Sequence, residues 1–184
     1  YMDNNATTKV APEVVEAMMP FLSDYYGNPS SMHIFGGQVS DAVQKARKQV
    51  ADLLGAEPEE ITFTSCGTES DSTALLSALQ SFPDRRHIIT TRVEHPAIKT
   101  LCENLETLTG HKRRVTRLKV AADGTLDLDE YAKALTEDTA IVSVMWANNE
   151  TGVIFPVEEM ARMAKERDIL FHTDAVQAVG KIPI

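Results

Sequence analysis

Ala140-Ile141-Val142-Ser143-Val144-Met145 is an almost wholly apolar run, Pro156 to Glu166 carries a helical pattern, and Ile169-Leu170-Phe171-His172 is a shorter β-type run. Strand, helix and strand in that order describe a parallel pair joined by a crossover, since parallel neighbours need a connection long enough to hold a helix. The pattern repeats upstream. Ile61-Thr62-Phe63-Thr64 precedes a helical stretch from about Thr68 to Leu79, His87-Ile88-Ile89-Thr90-Thr91 precedes another from about Pro96 to Leu108, and Arg114-Val115-Thr116-Arg117-Leu118 precedes a third from Asp127 to Leu135. Such alternation predicts an α/β fold, a mostly parallel sheet with helices on both faces, and a ligand site at the edge where the strands end.

Towards the N-terminus the strands give way to helices. After an extended opening around Asp3-Asn4-Asn5-Ala6-Thr7-Thr8, residues Pro12 to Leu22 space Val14, Val15, Met18, Met19 and Leu22 at helical intervals. Pro12 suits a first helical turn, and the helix is expected to end near Tyr26-Gly27. A second, amphipathic helix runs from about Gly37 to Leu54 through Val39, Val43, Ala46, Val50 and Leu53, with Gly55 as its C-terminal cap. No repeat or low-complexity tract interrupts the chain.

Composition excludes several classes of function. The 184 residues carry 18 Lys+Arg against 27 Asp+Glu, a net charge of −9 with no basic block, which argues against a nucleic-acid partner. Hydrophobic residues make up 43% and charged residues 24%, ordinary globular usage that excludes disorder and collagen-like repeats. No apolar run approaches the roughly 18 residues of a membrane span, and the chain opens without a basic patch followed by an apolar segment. A cytoplasmic protein is therefore the expectation. Cys66 and Cys102 cannot build a disulfide framework, and His33, His87, His95, His111 and His172 are scattered without an HExxH pair, so no metal site is expected.

Polar residues collect where the predicted strands end: Ser65-Cys66-Gly67-Thr68-Glu69-Ser70, Glu94-His95-Pro96, Asn148-Asn149-Glu150-Thr151-Gly152 and Asp174-Ala175-Val176-Gln177. Gly67-Thr68 at a helix start offers free backbone N–H groups, a hydroxyl and the positive end of a helix dipole, which suits a phosphate. The same residues also fit a plain capping arrangement. Asp174 after an apolar strand needs a cation or hydrogen-bond donors, because burying a lone carboxylate is costly, and it equally fits an N-cap for Ala175–Val179. His95 fits either a functional histidine or a loop residue satisfied by backbone, and Asn148-Asn149 fits a turn. Cys66 beside a helix N-terminus has the setting of a lowered thiol pKa, although small cysteines at strand ends are mostly packing residues. The GxGxxG and GxxxxGK[ST] fingerprints are absent.

Taken together these segments resemble the cysteine desulfurases, pyridoxal-phosphate enzymes of the nitrogen-fixation and iron–sulfur-assembly type within the class-V aminotransferase-like group. The resemblance is carried, in family order, by Asp3-Asn4-Asn5-Ala6-Thr7-Thr8, Gly27-Asn28-Pro29-Ser30-Ser31-Met32-His33 and Phe63-Thr64-Ser65-Cys66-Gly67-Thr68-Glu69-Ser70. It continues through Glu94-His95-Pro96-Ala97, Asn148-Asn149-Glu150-Thr151-Gly152 and His172-Thr173-Asp174-Ala175-Val176-Gln177. Ser65-Cys66-Gly67-Thr68-Glu69-Ser70-Asp71-Ser72-Thr73 and Val144-Met145-Trp146-Ala147-Asn148-Asn149 look most like the nitrogen-fixation branch.

The resemblance implies a type I fold of pyridoxal-phosphate-dependent transferases, with residues 1–30 as an N-terminal arm and helix and 31–184 as part of the large cofactor-binding domain. It implies the cofactor pyridoxal 5'-phosphate, its phosphate on Gly67 and Thr68. His95 would stack on the ring and shuttle protons as the catalytic residue, and Asp174 would pair with the ring nitrogen. Gln177 would bond the ring hydroxyl, and Asn149 would lie near that hydroxyl and the substrate carboxylate. The loop Gly27–His33 would help wall the substrate side. The implied reaction converts L-cysteine to L-alanine and leaves the sulfur as an enzyme persulfide, for an iron–sulfur scaffold protein to accept. Family members are homodimers. Their Schiff-base lysine, persulfide cysteine and carboxylate-binding arginine follow the Asp-x-x-Gln segment, so those residues are expected beyond Ile184; Lys181, within Gly180-Lys181-Ile182-Pro183, lies in a different motif. The resemblance also accommodates a selenocysteine lyase-like relative or an inactive module that binds cofactor or a partner.

Overall fold

The computed structural model describes residues 1–107 and 113–184; the expected helix end at Leu108, and His111, lie outside the described residues. The chain forms two compact units, Tyr1–Phe63 with Ile184, and Thr64–Pro183.

The first unit is helical. Helix α1 (Pro12–Ser23) begins with Pro12 in its first turn and stops at Asp24, short of the expected Tyr26-Gly27. Helix α2 (Ile34–Leu54) begins before Gly37 because His33 caps it: the Gly36 N–H donates to His33 Nδ1 at 3.2 Å. Gly55 ends α2 in the left-handed region, φ +65°, as the helix pattern requires. Ile61–Thr64 is not a strand, contrary to its β-type sequence. A strand exists only where its backbone finds a ladder, and these residues join none among those described. The Ile61 carbonyl is instead taken by the Arg47 guanidinium, which also lies 4.9 Å from the centre of the Phe63 ring.

The second unit is the expected α/β sandwich. Its elements are α3 (Gly67–Ser81), β1 (His87–Thr91), α4 (Pro96–Thr107), β2 (Arg114–Leu118), α5 (Leu128–Ala134), β3 (Thr139–Ser143), α6 (Val157–Lys165) and β4 (Leu170–His172). All pairings are parallel in the order β2-β1-β3-β4, with Ile88 opposite Val115 and Ile141, and Val142 opposite Phe171. Alternate strand residues serve the two faces. Ile88, Val115 and Ile141 pack with Leu75, Leu79, Ile98 and Cys102 of α3 and α4, whereas Ile89, Leu118 and Val142 pack with Tyr131, Met160 and Ala164 of α5 and α6. The ladder shifts between His87 and Ile88, which face Thr139 and Ile141. Ala140 is thus an extra residue, and it joins Ile141 on the α3/α4 face, as a bulge allows. Each fully buried Leu or Ile here contributes about 1.5–3 kcal/mol. Beyond β4, Val176–Lys181 forms turns, so the helix expected over Ala175–Val179 is replaced by a tighter path. No helix among the described residues is long and apolar enough to cross a membrane.

Candidate functional site

The site is assembled at the C-terminal ends of β1, β3 and β4 and the N-terminus of α3, all within Thr64–Pro183. Helix α3 has Cys66 at its N-cap position with no side-chain oxygen cap, so the first helical N–H groups meet at most the weakly accepting Cys66 thiol. Thr68 is the second helical residue and exposed, so it is not itself the cap. The Glu69 carboxylate reaches back across the start of the helix, accepting from Ser65 N at 2.7 Å and Ser65 Oγ at 2.6 Å, a capping arrangement of the expected Ser-before-Glu kind. The Cys66 thiol is exposed, and its pKa is lowered first by the Glu69 backbone N–H and then by the Ser65 hydroxyl. A Cβ added at Gly67 would lie 3.5 Å from Val176 Cγ2, which places this turn against the one after β4.

Asp174 is 9% exposed. Its carbonyl accepts from Trp146 N at 2.9 Å, tying the end of β4 to that of β3, and its Oδ1 accepts from Val176 N at 3.1 Å. The carboxylate therefore closes a turn rather than capping a helix. Gln177 is half-buried in the same turn, where its Oε1 accepts from Lys181 Nζ at 2.5 Å. His95 is exposed, with Nδ1 accepting from Ala97 N at 3.2 Å at the start of α4; in the neutral ring this leaves the proton on Nε2. The turn reading holds for Asn148: its Oδ1 accepts from Glu150 N and Thr151 N at 3.0 and 2.9 Å, and its Nδ2 donates to Val93 O at 3.0 Å. Asn149 is half-buried and donates to Glu150 Oε1 at 3.3 Å, so its side chain is engaged within its own turn.

Three further residues belong to this cluster. Asp71 of α3 is 5% exposed and lies 3.5 Å from His172 Nε2, whose Nδ1 meets Ser143 Oγ at 2.9 Å. Glu94 is 4% exposed. Burial, reinforced by the Asp174 charge, pushes the Asp71 carboxyl up to about 6 while His95 opposes the shift. Burial also pushes Glu94 up to about 7, against hydrogen bonds from Thr91 and Met145, with Asp174 and Asp71 adding to the rise. The same desolvation lowers His172, while Asp174 works to raise it. Local signals for two of them were present: Asp71 is four residues after Gly67 on one helical face, and His172 is two before Asp174 on one strand face.

The electrostatics of this cluster test what could bind. Among the described residues no Lys or Arg pairs with Asp71, Glu94 or Asp174, and the Thr173 hydroxyl is buried without a partner. Three buried carboxylates lacking a fixed cation, beside a helix N-terminus suited to an anion, fit a ligand that is cationic at one end and anionic at the other. Pyridoxal phosphate, with its protonated ring nitrogen and its phosphate, has that form.

Comparisons with known proteins identify the family of the chain. The model of the "Aminotransferase class-V" family matches residues 1–184. A "Cysteine desulfurase" of Trichormus azollae is 62% identical over 184 residues, covering 100% of this chain and 45% of that protein. "Cysteine desulfurase NifS" of Azotobacter vinelandii is 61% identical over 187 residues, with 100% and 45% covered. Among solved structures, a "NIFS-like protein" superposes with a TM-score of 0.94 at 43% identity, covering 100% of this chain and 50% of the other. "SspA in complex with cysteine" gives 0.91 at 37% identity, covering 97% and 51%. The chain thus spans about half the length of the relatives it matches. With a family model matched from its first residue to its last, and cysteine desulfurases among its relatives, the chain belongs to the class-V aminotransferase family.

Proposed function

We propose that this chain supplies the cofactor-holding half of a cysteine desulfurase that uses pyridoxal 5'-phosphate. The observation that carries the reading is Asp174, buried at the end of β4 without a cationic partner among the described residues and facing two further buried carboxylates. When bound, the cofactor accepts the electrons of a substrate carbanion through its protonated ring. Asp174 keeps that ring nitrogen protonated, an interaction worth most in a water-poor site. Gly67 and Thr68, with the start of α3, hold the phosphate. His95 covers the ring and moves protons through Nε2, its Nδ1 being fixed on α4. Gln177 bonds the ring hydroxyl, and Asn149 lies near that hydroxyl and the carboxylate of L-cysteine.

In the longer protein, residues 1–30 act as an arm and 31–184 as part of the large domain. That protein is a cytoplasmic homodimer passing sulfur to an iron–sulfur scaffold protein. The desulfurase activity itself is supported by the cysteine desulfurases aligned with the whole chain. The deciding experiment is Asp174→Ala in the full-length parent. Loss of nearly all alanine release from L-cysteine, with unchanged circular dichroism in the far ultraviolet, is expected; wild-type turnover would remove Asp174 from the mechanism.

A further inference from the structure

The loop that carries His95 is fastened to the neighbouring strand by a buried carboxyl side chain. Glu94 reaches across to the end of β3, where Met145 N donates to both carboxylate oxygens, each at 3.1 Å. Thr91 Oγ1 at the end of β1 donates to Oε1 at 2.6 Å. A second stitch lies one residue earlier, where Asn148 Nδ2 donates to Val93 O at 3.0 Å. Downstream, His95 Nδ1 accepts from Ala97 N at 3.2 Å. The backbone of His95 is thereby held on one side by β3 and its following turn, and on the other by the first turn of α4. Glu94 is 4% exposed and has no cationic partner among the described residues, a costly place for a carboxylate unless its reach and its two lone-pair directions are needed.

We infer that Glu94 is a positioning residue for His95, clamping the β1–α4 loop to the end of β3 so that the imidazole keeps one placement over the cofactor. The inference rests on the desulfurase reading given above. The clamp is geometric. A glutamine can accept from Met145 N with its oxygen and donate to Thr91 Oγ1 with its amide, whereas an aspartate is one methylene short and an alanine has no acceptor.

The test uses the full-length parent loaded with pyridoxal phosphate, comparing wild type with His95→Ala, Glu94→Gln, Glu94→Asp and Glu94→Ala. Alanine release by the wild type, reduced in His95→Ala, secures the underlying reading; if either fails, it is that reading that falls. On that footing Glu94→Ala and Glu94→Asp should lower kcat on the order of 100-fold, as a displaced catalytic group does, with KM for L-cysteine little changed. Glu94→Gln should stay within about fivefold of wild type, the scale of one altered hydrogen bond. The circular dichroism of the bound cofactor in the visible range should change in Glu94→Asp and Glu94→Ala but not in Glu94→Gln. In the cofactor-free full-length protein, hydrogen exchange at the Met145 amide should accelerate in the same two variants. Full activity in Glu94→Asp and Glu94→Ala, or equal losses in Glu94→Gln and Glu94→Asp with Met145 still protected, would overturn the inference. Should Glu94→Ala fail to fold, Glu94→Asp against Glu94→Gln still separates reach from charge.

Discussion

Residues Tyr1–Phe63 and Thr64–Pro183 draw on similar helical patterns and bury them very differently. In the first region α1 has no buried residue, and Met18, Met19 and Leu22 are 54%, 53% and 72% exposed. In the second, every residue of β1 and β3 is buried, and Leu75, Ile98 and Met160 on three different helices are 0% exposed. The difference lies in the sheet. A parallel sheet presents two apolar faces, so each of α3 to α6 has a surface to cover, whereas α1 and α2 share only a shallow groove lined by Val14, Ala17, Met18, Phe21, Leu22 and Ala46. A periodic apolar stripe therefore states that a face needs covering and leaves open what covers it.

Substitutions at matched apolar positions would break this comparison most sharply. Leu75→Ala in the 184-residue chain should cost about 3–5 kcal/mol, read as a lower urea midpoint, because it opens a cavity between α3 and the sheet. A loss under about 1 kcal/mol would mean that the second region is no better packed than the first.

The next effect is acid sensitivity confined to the sheet. His87 is fully buried, bonded to Thr139 Oγ1 at 2.9 Å and Thr116 Oγ1 at 2.8 Å, and burial lowers it to about 4, with Arg114 adding. Its folded value lies below its unfolded one, so the unfolded chain takes up a proton that the folded chain refuses. Stability from this group is complete above about 6.5 and drains away as pH falls towards 4, by up to about 3 kcal/mol. Asp71 and Glu94 act with the opposite sign, since their raised values favour the fold as pH falls. Subtracting the urea stability of His87→Gln from that of wild type at each pH isolates the histidine limb. A flat difference between pH 7 and 4.5 would contradict the assignment.

Smaller effects sharpen the contrast within the helical region. Gly55→Ala should cost about 1 kcal/mol, since the cap of α2 holds φ at +65°, where a Cβ is strained; thermal unfolding reads this directly. Met18→Ser should change the stability of the 184-residue chain by no more than about 0.5 kcal/mol, the range of exposed positions. In the full-length parent the same substitution should cost clearly more if another part of the protein covers α1. Equal effects in the two proteins would show that this face stays open.

Much of the fold was legible before the structure. His87–Thr91 and Arg114–Leu118 are strands over the expected residues, and Gly55, Asp127 and Pro156 stand at helix ends as their chemistry requires. Ile61–Thr64 was misread because β-propensity resides in the segment while pairing resides in a neighbour. At the site, Gly67, Thr68, His95 and Asp174 come together at one edge, as the strand ends imply, but the part played by Glu94 was not legible. Nothing local to Glu94 indicates that its carboxylate will meet the Met145 amide, fifty-one residues away.

The sequence by itself determined the α/β alternation, the Gly55 cap of α2 and the motifs of the family, because periodicity and capping act through contacts within one or two turns of chain. Tertiary structure alone decided which apolar faces are covered, and that the buried Asp71, Glu94 and Asp174 lie close enough to feel one another's charge. Desolvation and Coulomb energy depend on distance through space and on the loss of water, and both are settled only when segments remote in the chain close on one another.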